Sequence, residues 1–242
     1  MRTLVIDCAT ENCSVALFEG AGGSLRLIDA RCETLGRGHA ERLVPMIGEL
    51  ANGGRAERIA VSTGPGSFTG IRVGLAAAKA LALAWRAELV GFPTLALIAA
   101  QARIERGEQA VGIANNAGHG EWFVQRFAAS GLPRDDARSL PPAEAQQALD
   151  AQLVAGSRAE ALVEARGFGE ALAVLPDARA FAALPAALLS ADPRPSYGRK
   201  PDAALPGSAR AAAAGPAAAR PAAAQSADEG ARQRGAGAPQ AG

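Results

Sequence analysis

Ser62-Thr63-Gly64-Pro65-Gly66-Ser67-Phe68-Thr69-Gly70-Ile71-Arg72-Val73-Gly74-Leu75-Ala76-Ala77-Ala78-Lys79 links the short apolar run 58–62 to a long one that continues to Trp85. The first run has strand composition. In the second, Ile71, Leu75, Ala78, Ala82 and Trp85 recur at three- and four-residue intervals, which predicts a helix over 70–85 with one stripe packed on a sheet. Between them, Gly64, Gly66 and Gly70 permit backbone angles closed to other residues, Pro65 fixes one angle, and Ser67 or Thr69 can cap the helix. Such a turn aims N–H groups past a helix N-terminus, so Gly64, Gly66, Ser67, Thr69 and Gly70 form either an anion cradle or a tight structural loop. The spacing matches neither the P-loop nor G-x-G-x-x-G, and both readings stay open.

Outward from this segment the pattern continues. Residues 3–7 and 13–18 read as a hairpin, 25–34 as a third strand and 39–50 as a helix carrying Leu43, Met46, Ile47 and Leu50, with Pro45 in its first turn or at a bend. A strand over 88–91 and a helix over 94–105 complete a mixed sheet with helices on its faces. The same grammar restarts with strands over 110–114 and 121–127, then a helix over 142–151, a strand over 152–155 and weaker pieces over 160–166 and 178–184. The fold class is therefore α/β. Two ribonuclease-H-like lobes are expected, residues 1–108 and a reduced second lobe over 109–205. After Leu205 the chain has no large apolar residue, and Pro and Gly interrupt every Ala run, so 206–242 reads as a disordered tail.

Lys and Arg number 25 against 24 Asp and Glu, a net charge of +1, so no global basic field is present to hold a polyanion. Cys8, Cys13 and Cys32 lack C-x-x-C spacing and read as reduced thiols rather than a disulfide framework or a zinc ribbon. The start resembles no signal peptide, and no stretch approaches 18 uninterrupted apolar residues; a cytoplasmic protein away from membranes is expected. His39 and His119 lie eighty positions apart with no ligand cluster around them, and read as a helix-start or interface residue and a turn residue. Ser62 and Ser67 lack a G-x-S-x-G setting, and Cys8 has no visible base. Asp7 ends the first strand and is expected to hydrogen-bond the following turn.

The segments LVIDCATENCSVALFE (4–19), GRGHAERLVPMI (36–47), STGPGSFTGIRVGLAAAKALALAW (62–85) and PSYGRKPDA (195–203) together resemble the TsaB (YeaZ) family. The resemblance implies the actin/Hsp70-like ATPase superfamily fold. It also implies a non-catalytic dimerisation subunit of the complex that transfers threonylcarbamoyl to N6 of the adenosine next to the anticodon in tRNA. The implied partners are the catalytic paralogue TsaD, which the chain would bind and activate, and the ATPase TsaE. ATP and metal would sit on those partners and none on this chain, tRNA would be met only through the complex, and whether the chain alone forms a homodimer stays open. TsaD-like chains carry an H-x-x-x-H pair where this chain reads Gly91-Phe-Pro-Thr-Leu-Ala-Leu97, without histidine. Where the family often reads D-A-R, this chain has the neutral Asn116. The alternative from another class is a self-standing actin-like ATPase or a protease.

A non-catalytic role would place function on a surface. Opposite its sheet-facing stripe, the long helix offers Val73, Ala76, Ala77, Ala80 and Ala84 for close approach of another helix, with Arg72 and Lys79 flanking the seam. The helix over 39–50 adds His39, Glu41, Leu43, Val44 and Ile47 to this expected partner interface.

Overall fold

The strand β1 (Arg2–Asp7) is apolar at consecutive positions because it is buried on both sides: Leu4 and Ile6 face one core cluster, Val5 the other. It pairs antiparallel with β2 (Asn12–Ala21), which pairs antiparallel with β3 (Ser24–Thr34). On its other side β1 runs parallel to β4 (Arg58–Ser62), and β4 to β5 (Glu88–Phe92), giving the order β3-β2-β1-β4-β5. Between these strands lie the helices α1 (His39–Gly48) and α2 (Phe68–Trp85). Both cover the Leu4/Ile6 side of the sheet, where Leu43, Met46 and Ile47 meet Ile71, Leu75 and Ala78. Full burial of each large side chain there contributes about 1.5–3 kcal/mol.

α3 (Thr94–Arg106) lies between this sheet and a second one. Its Leu97 and Ala100 join the Val5/Phe92 cluster, and Leu95, Ile98 and Ala99 join Ile113, Phe123 and Leu153. The second sheet contains β6 (Val111–Gly118), β7 (Glu121–Phe127), β8 (Arg138–Leu140), β9 (Leu153–Ala155) and β10 (Glu170–Leu172), in the order β8-β7-β6-β9-β10. The first two pairings are antiparallel and the last two parallel, as in the first sheet. The strand order is thus repeated with a shift of five, the duplicated ribonuclease-H-like arrangement of the actin-like fold. On the outer face of the second sheet pack α4 (Pro142–Ala148) and α5 (Ala159–Arg166).

This computed structural model describes residues 1–21 and 24–198, so the expected tail over 206–242 lies outside the described residues. Residues 1–200 make one compact unit. The 108/109 division falls between α3 and β6, while the 3-10 turn Ala178–Ala183 returns to the first sheet and seats Phe181 between Phe18 and Phe92. Local differences from the sequence reading have simple causes. Pro45 sits six residues after the start of α1, where it lacks an N–H for the ladder, and the helix stops three residues later at Gly48. β8 and β10, three residues each, are too short to display a period and were not predicted.

Candidate partner interface

The glycine-rich turn before α2 is packed against the β1–β2 turn. A Cβ on Gly66 would stand 2.0 Å from the Ala9 carbonyl oxygen, and one on Gly70 2.0 Å from that of Cys8. Gly64, at φ +99°, faces the Ser196 carbonyl oxygen in the same way at 2.1 Å. Ser67 N–H donates to Ala9 O at 2.7 Å, and Ser67 Oγ caps α2 by accepting from Gly70 N–H at 3.2 Å. Thr69 is exposed. The chain's own carbonyls therefore occupy the glycine faces that a cradle would offer to an anion, and the geometry supports the structural reading of the loop.

Asp7 is fully enclosed. Its Oδ1 accepts from Ala9 N–H at 3.2 Å, the expected turn contact, while Oδ2 has no hydrogen-bond partner among the described residues. Burial pushes its carboxyl up to about 7, against the lowering effect of the Ser62 side chain and the Ala9 N–H. On the same side of the sheet as the returning segment, Ser14 Oγ accepts from Ala178 N–H at 2.8 Å and donates to Asp177 at 3.4 Å. Burial of Asp177 opposes its ionisation, but Arg179 outweighs that and lowers its pKa. Cys8 and Cys13 are buried free thiols whose sulfurs lie 3.6 Å apart. His119 occupies the β6–β7 turn at φ +52°. Across the gap between the two hairpins, Asn116 Nδ2 donates to Glu11 Oε1 at 2.9 Å, which gives the neutral residue there a physical reason. Among the described residues no group of His, Cys, Asp and Glu could hold a metal ion.

The α1–α2 surface separates the expected interface residues into two sets. Val44, Glu41, Arg72, Ala76, Lys79 and Ala80 are exposed, and Val73 and Ala77 are half-buried against the core. Three expectations need correction. Leu43 and Ile47 are core residues of their own domain, turned toward the sheet by the helical period, and His39 is buried with Nε2 3.2 Å from Asn12 O. Sequence reading missed two residues of this surface. Leu83 is 84% exposed on the same face as Ala76 and Ala80, and Phe68 is 52% exposed at the helix start. A helical wheel would have placed Leu83 beside Ala76, whereas Phe68 lies angularly next to the sheet-facing stripe and is exposed because it is the first residue of the helix. Phe68 stacks with Tyr197 (ring centroids 4.8 Å apart) beneath the Arg72 guanidinium, so Tyr197 packs over the start of α2.

A sequence profile for the family described as "TsaD: tRNA N6-adenosine threonylcarbamoyltransferase" matches residues 32–179. The "tRNA threonylcarbamoyladenosine biosynthesis protein TsaB" of Escherichia coli is 37% identical over 132 residues, covering 52% of this chain and 55% of that protein. Its namesake from Haemophilus influenzae is 41% identical over 88 residues, covering 34% and 35%. The chain thus spans about half the length of the E. coli relative in that match. Among solved structures, "YeaZ from Pseudomonas aeruginosa" superimposes with a TM-score of 0.62 at 30% identity, covering 74% of this chain and 88% of that one. A second Pseudomonas aeruginosa structure, titled as an uncharacterized protein with similarity to peptidase YEAZ, gives the same TM-score at 29% identity, covering 74% and 87%. The chain belongs to the tRNA N6-adenosine threonylcarbamoyltransferase family, on its TsaB (YeaZ) branch.

Proposed function

We propose that this chain acts in threonylcarbamoyladenosine biosynthesis as a non-catalytic subunit that docks on a TsaD-like paralogue through its α1–α2 surface. The observation that carries the reading is the composition of α2 set against its burial. Over 18 residues the helix is apolar enough to cross a membrane by length and composition, yet only 28% of it is buried. One face completes the core; the other leaves Ala76, Ala80, Leu83 and Ala84 in solvent beside Val44 of α1. Small side chains let a second helix approach closely, and the larger Leu83 and Val44 supply knobs for its grooves.

The absence of chemistry from this chain's role is supported by its own packing. The carbonyls of Cys8 and Ala9 fill the glycine turn, and Ser62, Cys8 and the neighbouring Asp7 are all buried out of reach of a substrate in solvent. In this reading the chain holds the paralogue in its active arrangement, while ATP, any metal, a TsaE-like ATPase and tRNA are engaged by the rest of the complex. Self-pairing through the same surface would occur when the paralogue is missing.

Leu83→Glu and Ala76→Glu place charge on exposed positions without touching the core. Co-elution with purified TsaD and threonylcarbamoyladenosine formation in vitro are expected to fall at least about tenfold. Retained binding and activity in the double variant would overturn the reading, as would ATP turnover by the isolated chain. Ala77 is unsuitable for this test because it packs against the core.

A further inference from the structure

Charge on the α1–α2 surface is unevenly placed. α2 contains no Asp or Glu, and its two cations, Arg72 and Lys79, are seven residues apart, two turns or about 10 Å along one edge of the exposed face. Neither forms an ion pair among the described residues. The neighbouring helix is built differently: Arg42 of α1 is held between Glu33 and Glu49, and Glu41 stands exposed without an ion pair among the described residues. One edge of the surface is therefore basic and the α1 side acidic.

Arg72 is also held in place. Its guanidinium carbon lies 3.5 Å from the Phe68 ring centroid, and its Nε donates to the Tyr197 hydroxyl at 3.1 Å. Those contacts fix the plane of the group and use one donor. Neither Nη makes a hydrogen bond to the chain among the described residues. An anchored guanidinium with its two Nη groups unengaged matches a carboxylate side-on, and loses little side-chain freedom in doing so.

We infer that the surface selects a partner helix bearing carboxylates at a matching two-turn interval, with Arg72 and Lys79 as its specificity determinants; this rests on the docking role proposed above. A second copy of this chain fits less well. In an antiparallel two-fold pairing of α2 with itself, symmetry brings both basic edges to the same side of the seam, so cation meets cation. The apolar face would then supply contact area and the basic edge would decide between the paralogue and self.

The test measures affinity of the full chain for the purified TsaD paralogue at about 50 and about 300 mM salt, with Lys79→Gln, Arg72→Gln and the double variant. At low salt the double variant is expected to bind about tenfold more weakly than the wild type, with a shallower salt dependence, and its self-association in sedimentation is expected to rise. Lys79→Gln disturbs no hydrogen bond among the described residues, so it keeps the test valid should Arg72→Gln loosen the Phe68–Tyr197 stack. Unchanged affinity and salt dependence in both variants would overturn the charge selection while leaving docking intact. No binding of the wild type to TsaD would overturn both. Wild-type self-association as tight as its TsaD binding would overturn selection against self.

Discussion

Replacing Asp7 by asparagine tests whether a buried carboxyl makes this fold lose stability with rising pH. In the folded chain Asp7 titrates near 7, raised from 3.8 chiefly by burial, and only one of its oxygens is hydrogen-bonded. Between those two values the unfolded chain has lost the proton and the folded chain still holds it. Stability therefore falls as pH rises from about 4 to about 7 and levels off above, with a total change of about 4 kcal/mol. The amide of the Asp7→Asn variant has nothing to ionise, so the stability of the variant relative to wild type should rise by up to about 4 kcal/mol across that window. For a folded body of this size that corresponds to roughly 10 °C in Tm. Urea or thermal unfolding of both proteins at pH 4, 6 and 8 measures it. Taking the difference between variants cancels Asp177, whose lowered pKa gives the opposite trend. Parallel stability profiles for the two proteins across the whole window would refute the argument that burial holds the proton on Asp7.

Two further predictions concern the packing that positions α2 and joins the hairpins. Asn116→Asp would set a carboxylate against Glu11 in place of the 2.9 Å hydrogen bond; a loss of about 1 kcal/mol in urea unfolding is expected, and Glu11→Gln in the same chain should restore most of it. Gly66→Ala would drive a methyl into the Ala9 carbonyl and should cost at least about 3 kcal/mol or prevent folding, whereas Gly48→Ala, with open space around its Cβ at the end of α1, should be neutral or stabilising by up to about 1 kcal/mol in the same assay.

Much of the fold was legible because strong periods carry it. The short apolar runs of β1 and β2 and the helical spacing of α1 and α2 survive without tertiary information, since burial on one or both faces writes itself into residue type. The second sheet was harder to read: β8 and β10 join a pattern already set by β6, β7 and β9, so three residues suffice for each and no period is left to see. On the α1–α2 surface, spacing placed Arg72, Ala76, Lys79 and Ala80 away from the sheet, where the structure leaves them exposed, but could not tell which side of α1 faces its own sheet. His39, Leu43 and Ile47 went to the wrong side for that reason.

By itself the sequence determined the α/β class, the repeated hairpin-and-helix grammar, the resemblance to TsaB and the lack of histidine over 91–97, because composition and period are local properties. Tertiary structure alone decided what the glycines before α2 are for, which apolar residues of α1 and α2 stay in solvent, and that Tyr197 clasps Arg72 from 125 positions away. Those outcomes depend on which distant backbone carbonyl or side chain arrives at a given face, and no spacing along the chain encodes that arrival.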